Sequence, residues 1–118
     1  MALFTELVGW ANYVSGRLSI AEIEEAEAEA QYDFVAAEAL LDNLNVSAHD
    51  SVTAAKARRD TDPEVVRKGR ACREARAFRK QLATLAGNLE RMTALVSRDL
   101  TRRVNQEPVS RRKDRWNP

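Results

Sequence analysis

Seven residues, Ala75, Phe78, Leu82, Leu85, Leu89, Met92 and Val96, follow one another at alternating steps of three and four. That spacing keeps one stripe of a helix apolar through three heptads and does not suit the two-residue alternation of a strand. Upstream, "TDPEVV" supplies a start signal. Asp62 stands as the cap, Pro63 takes the first helical position, where its missing N–H costs nothing, and Glu64 lies near the positive end of the helix dipole. The spacing therefore predicts a helix from residue 63 to about residue 103, on the order of 60 Å long at about 1.5 Å per residue. The stripe frays at its ends, where the heptad positions are Ala71 and Lys68 on one side and Asp99 and Arg103 on the other. Gly69 and Gly87 each cost roughly 1 kcal/mol relative to Ala and mark places where such a helix can bend or break.

The preceding sequence reads as two more helices. Leu3, Leu7, Trp10 and Val14 share a face of a short N-terminal helix, broadened by Phe4 and Tyr13 and ended by Gly16. Ser19 with Glu22 three residues on has the form of a capping box, which starts the next helix. Its apolar line is Ile20, Ile23, Ala26, Ala30, Phe34, Ala37, Leu41 and Leu44. "NLNVSAHDS", residues 43–51, reads as a turn, because its Asn, Ser and Asp side chains compete for backbone hydrogen bonds. Residues 52–60 are either a short helical piece or an ordered connector. Past residue 104, "NQEPVSRRKDRWNP" contains two prolines and no apolar period, so residues 105–118 read as a disordered basic tail on a single helical domain of residues 1–104. The expected fold is all-α: an antiparallel helical hairpin of two long helices plus a short N-terminal helix. Such a hairpin leaves apolar surface uncovered, and a homo-oligomer formed through coiled-coil-like packing of Phe78, Leu82, Leu85, Leu89, Met92 and Val96 completes it.

Several classes of function find no support. No run approaches the roughly 18 to 20 apolar residues of a membrane span, and the N-terminus lacks the pattern of a signal peptide, so a cytoplasmic protein without a membrane partner is expected. The lone Cys72 has no internal disulfide partner, in keeping with a reducing compartment. His49, the one histidine, lies in the polar turn, and neither metal-ligand spacing nor a glycine-rich phosphate loop is present. Neighbouring acids such as Glu24 and Glu25 or Glu27 and Glu29 read as a solvated helix face. No enzyme activity, metal or cofactor is expected.

A net charge of +1 conceals a division along the chain. Residues 1–50 hold ten acids and one base, Arg17, for a net −9, whereas residues 51–118 hold eighteen bases and eight acids, for a net +10. Within residues 55–80, ten of twenty-six positions are Lys or Arg. With Ala75 and Leu82 facing a core, Arg70, Arg73, Arg76 and Lys80 lie on the far side of the helix, and Arg67 and Arg79 flank the stripe. Such a strip suits successive phosphates, with affinity falling as salt rises. It equally suits pairing with the acidic helix, or plain solvation. The tail adds Arg111, Arg112, Lys113 and Arg115 ahead of Trp116, a set of charges for phosphates and one ring on which a base can stack. No helix-turn-helix or zinc-finger pattern supports readout of base sequence.

Taken in order, "GWANYVSGRLSIAEIEEAEAEA", the connector "TAAKARRDTDPEVV" and the long "ACREARAFRKQLATLAGNLERMTALVSRDLTRR" resemble the small helical proteins of bacteriophages, actinobacterial ones especially. They are also similar in pattern to phage recombination mediators of the UvsY type, over roughly residues 8–103. The resemblance implies a self-associating helical protein that binds single-stranded DNA and helps a recombinase displace the single-strand-binding protein, in the cytoplasm of the host cell. It places DNA contact at Lys56, Arg58, Arg59, Arg67, Lys68 and Arg70, and oligomerisation at Leu82, Leu85, Leu89 and Met92. The chain departs from that pattern by its basic tail, which leaves the position of the main contact open. The alternative expectation is a non-catalytic phage structural or assembly protein whose charged helices mediate self-association.

Overall fold

The computed structural model describes the backbone of residues 2–46 and 52–116, and the side chains of residues 2–44 and 52–106. Three helices account for it: α1 is Ala2–Val46, α2 is Val52–Thr61 and α3 is Pro63–Trp116. Among the described residues there is no strand. The all-helical expectation therefore holds. Of the turn expected at residues 43–51, residues 47–51, His49 included, lie outside the described residues.

Where α2 gives way to α3 the chain follows the start signal closely. The Asp62 N–H donates to the Arg59 carbonyl at 3.1 Å, which closes α2, and the Val66 N–H donates to the Asp62 carbonyl at 2.9 Å, which opens α3. The Asp62 carboxylate accepts from the N–H groups of Glu64 at 2.9 Å and Val65 at 3.4 Å. Two of the donors that every helix start leaves without an intrahelical partner are thus satisfied by one side chain. The undecided residues 52–60 are helical, and Ala55 is fully buried.

The expected break near residues 16–19 is absent. α1 runs unbroken through Gly16 and Ser19, so no separate short N-terminal helix exists. A glycine ends a helix by taking up left-handed geometry, and no described glycine has positive φ. Helical backbone satisfies the N–H groups that a capping box at Ser19 would otherwise serve. What carries the helix through is the inward line itself, because Val14 and Ala21 are buried and Leu18 between them is half-buried. α3 likewise continues as helix past residue 104 through Pro108 to Trp116, beyond the expected end near Arg103.

The chain divides into two compact units, one of Met1–Gly16 with Thr84–Pro118 and one of Arg17–Ala83. In the first, Leu7 and Val14 are buried and Leu89, Val96 and Leu100 are half-buried. The Thr93 hydroxyl donates to the Leu89 carbonyl at 2.7 Å and the Thr101 hydroxyl to the Ser97 carbonyl at 2.9 Å, so both polar groups are satisfied within their own helix. In the second unit the buried residues are small: Ala21, Ala36, Ala55, Val65, Gly69 and Cys72. Small residues let helix backbones approach closely. The Tyr32 ring lies over Gly69, and a Cβ there would meet Tyr32 Cε2 at 3.2 Å.

These inward lines differ from the expected ones. On α1, Leu18, Ala21, Glu25, Ala28, Tyr32, Val35 and Ala39 are buried or half-buried, at steps of three and four. Every member of the expected line from Ile20 to Leu41 is exposed, and only Leu44 is half-buried. Leu3 and Trp10 also point to solvent, with Trp10 and Tyr13 edge to face at 6.0 Å between ring centres. On α3 the predicted seam splits. Ala75, Leu82, Leu89 and Val96 are half-buried, while Phe78, Leu85 and Met92 are exposed.

Candidate nucleic-acid interface

Arg17–Ala83 brings the acidic part of α1 together with the basic start of α3. Arg79 donates from Nε to Glu25 Oε2 at 2.6 Å and from an Nη to Oε1 at 3.3 Å, a two-pronged contact. Arg76 reaches Glu29 at 3.0 Å and Glu25 at 3.5 Å. Lys68 Nζ donates to Gln31 Oε1 at 3.0 Å. As numbering rises along α1 it falls along α3, so in this unit the two helices run in opposite directions.

The Glu25 side chain is only 13% exposed. The hydrogen bond from Arg79 holds its carboxyl below the ordinary value, against the opposing pull of burial and with help from the charges of Arg79 and Arg76. Both arginines are pushed up in turn, Arg76 first by its hydrogen bond with Glu29 and Arg79 first by its hydrogen bond with Glu25. A charge-assisted two-pronged contact with a largely covered acid fixes register more than a solvent-exposed pair does.

The basic strip is therefore divided between two uses. Arg76 and Arg79 are engaged by α1. Arg67 is held by Glu64 of its own helix at 2.6 Å and 2.7 Å, and Arg59 by its neighbour Asp60 at 3.0 Å. Arg70 stands 3.6 Å from Glu74 with both side chains largely exposed, a contact of little energetic weight. Lys56, Arg58, Arg73 and Lys80 are exposed. Arg111, Arg112, Lys113, Arg115 and Trp116 lie on the last part of α3, and their side chains are outside the described residues.

One residue that the sequence reading passed over joins this group. Tyr32 sits with Arg59, Asp60, Val65, Val66, Gly69 and Arg73 around an open cleft of about 450 Å³. Arg73 and Tyr32 also border the neighbouring cleft, about 510 Å³, with Glu29, Asp33, Gly69, Cys72 and Arg76. Two arginines fourteen positions apart in sequence thus border one cleft with an aromatic residue. The signal in the sequence was Gly69, a glycine inside a strong helical pattern, which marks close approach of another group. No His/Cys/Asp/Glu group fit to hold a metal occurs among the described residues, and no helix among them is long and apolar enough to cross a membrane. Comparison with protein-family models, with curated proteins and with solved structures finds no match for the chain.

Proposed function

We propose that this is a non-catalytic, all-helical DNA-binding accessory protein that contacts phosphates without reading base sequence and prefers single strands. The observation that carries this reading is the open cleft that Tyr32 shares with Arg73 and with the Arg59–Asp60 pair, with Lys56, Arg58, Arg70 and Lys80 exposed on the same two helices. Guanidinium groups suit phosphate oxygens, and an aromatic ring suits an unpaired base, which only a single strand presents freely. A place in recombination or replication, alongside a recombinase or a single-strand-binding protein, accords with such chemistry and with the pattern resemblance to phage mediators. On this reading α1 and α3 form a helical hairpin that self-associates, so that several basic faces act on one strand.

Binding of labelled single-stranded and double-stranded oligonucleotides at low salt tests the proposal. Micromolar or tighter binding that favours the single strand is expected, and absence of binding to either would overturn it. A second reading, a structural or assembly protein that works through self-association alone, draws on the engagement of Arg76 and Arg79 by Glu25 and Glu29. It predicts oligomers that neither co-purify with nucleic acid nor bind it.

A further inference from the structure

α1 carries a second stripe at heptad spacing, interrupted by Glu27, that stands exposed among the described residues. Ile20, Ile23, Ala30, Phe34, Ala37 and Leu41 are all exposed, with Ile23 at 67% and Phe34 at 69%. The stripe stands two positions along from the inward line at each repeat. At about 100° per residue this turns it away from the inward line, and of its residues Ala30 and Phe34 border an open cleft with Val35 and with Lys68 of α3. It extends about 30 Å along residues 20–41, all within the unit Arg17–Ala83. A solvent-facing helix surface that needed only solubility would not repeat Ile, Ile, Phe and Leu at this spacing.

The stripe is complementary to itself when one copy is turned end for end. An antiparallel pair centred between Glu27 and Ala30 sets Ile20 against Ala37, Ile23 against Phe34 and Glu27 against Ala30, so bulk alternates with space and the central carboxylates, one from each copy, lie over small alanines. The flanking positions then match Arg17 of one copy with Glu38 of the other, and Glu24 with Gln31. Like charges face each other directly at neither flank. We propose that a second copy of this chain docks antiparallel on this face of α1, so that Ile23 packs on Phe34 of the partner subunit and Arg17 reaches Glu38 of the partner subunit. The contact deepens the self-association in the proposed function, and it is tested without nucleic acid, so its failure leaves DNA binding to be judged separately.

The salt response distinguishes this contact from its rivals. Residues 17–41 hold seven acids and one base, so two copies of α1 repel at long range and screening eases their approach. Dimerisation should hold or tighten as salt rises. An acidic α1 seated on a basic α3 would loosen instead, as would DNA binding.

The experiment is sedimentation equilibrium of the full chain at low and high salt, with Ile23→Glu and Phe78→Glu beside the wild type and helicity followed by circular dichroism. A wild-type dimer, weakened about a hundredfold by Ile23→Glu and little affected by Phe78→Glu, is expected. Disulfide trapping covers the case in which Ile23→Glu misfolds. In a Cys72→Ser background, Ile23→Cys together with Phe34→Cys should give a covalent dimer, whereas either alone should not. Within one helix those positions stand about 16 Å apart, too far to bridge. A monomeric wild type, a dimer that loosens with salt, a dimer lost with Phe78→Glu, or cross-linking by either single cysteine would each overturn the proposal.

Discussion

Arg79 and Glu25 stand 54 positions apart in sequence, yet the Arg79 Nε lies 2.6 Å from Glu25 Oε2, at the centre of a set of ion pairs that joins α3 to α1. Arg76 closes on the same carboxylate from one turn earlier. Charges that look in the sequence like two separate surfaces, one acidic and one basic, are in part a single internal contact. Stability should therefore respond to Glu25 as it does not to the more exposed acids of α1.

Acid should expose that dependence. The folded value of Glu25 lies below its ordinary 4.5, so its contribution is present at neutral pH and is lost as pH falls below about 4.5 and through the folded value. Glu25→Gln should lower the urea midpoint at neutral pH, and the gap from wild type should close in acid. A gap that stays constant with pH would contradict the assignment.

Asp62→Ala should cost about 1 kcal/mol, since its carboxylate satisfies the N–H groups of Glu64 and Val65 at the start of α3. Chemical denaturation measures the loss. Asp62→Asn, which keeps an acceptor oxygen, should recover most of it.

Two glycines should answer the same substitution differently. At Gly16 nothing lies within 4 Å of an added Cβ, so Gly16→Ala should raise stability by about 1 kcal/mol through helix propensity alone. At Gly69 the new methyl would press on Tyr32 at 3.2 Å, so Gly69→Ala should gain less than Gly16→Ala or lose stability outright. Thermal melts of the two variants decide it.

The proposed DNA contact makes a prediction about slope. Each phosphate contact contributes roughly 0.7 to the salt dependence of single-strand binding. Replacing Arg59 and Arg73 by Ala together should flatten the plot of log affinity against log salt by about 1.4, uniformly across base sequences. Tyr32→Leu should weaken single-strand binding with little change of slope, because stacking releases no counterion.

Much of the local structure was legible in the chain. Asp62, Pro63 and Glu64 announced the start of α3 through contacts that span three residues, and such contacts need no tertiary partner. The acidic and basic halves announced that charge would matter, and Arg76 and Arg79 do meet Glu25 and Glu29. Gly16 and Ser19 misled because their signals are permissive: a glycine allows left-handed geometry without requiring it, and a capping box serves only a backbone that is already free.

Helicity, the α3 start and the spacing of apolar residues are thus properties of the sequence by itself, because each depends on neighbours within a turn or two. Which apolar stripe faces inward was decided only by tertiary structure. α1 satisfies heptad spacing twice, once through Leu18, Ala21, Ala28, Tyr32 and Val35, and once through Ile20, Ile23, Phe34 and Leu41. Periodicity cannot choose between them. Packing can, because Ala21, Ala36, Ala55, Gly69 and Cys72 let backbones come close enough for Arg79 to reach Glu25, whereas Ile and Phe at those places would hold the helices apart.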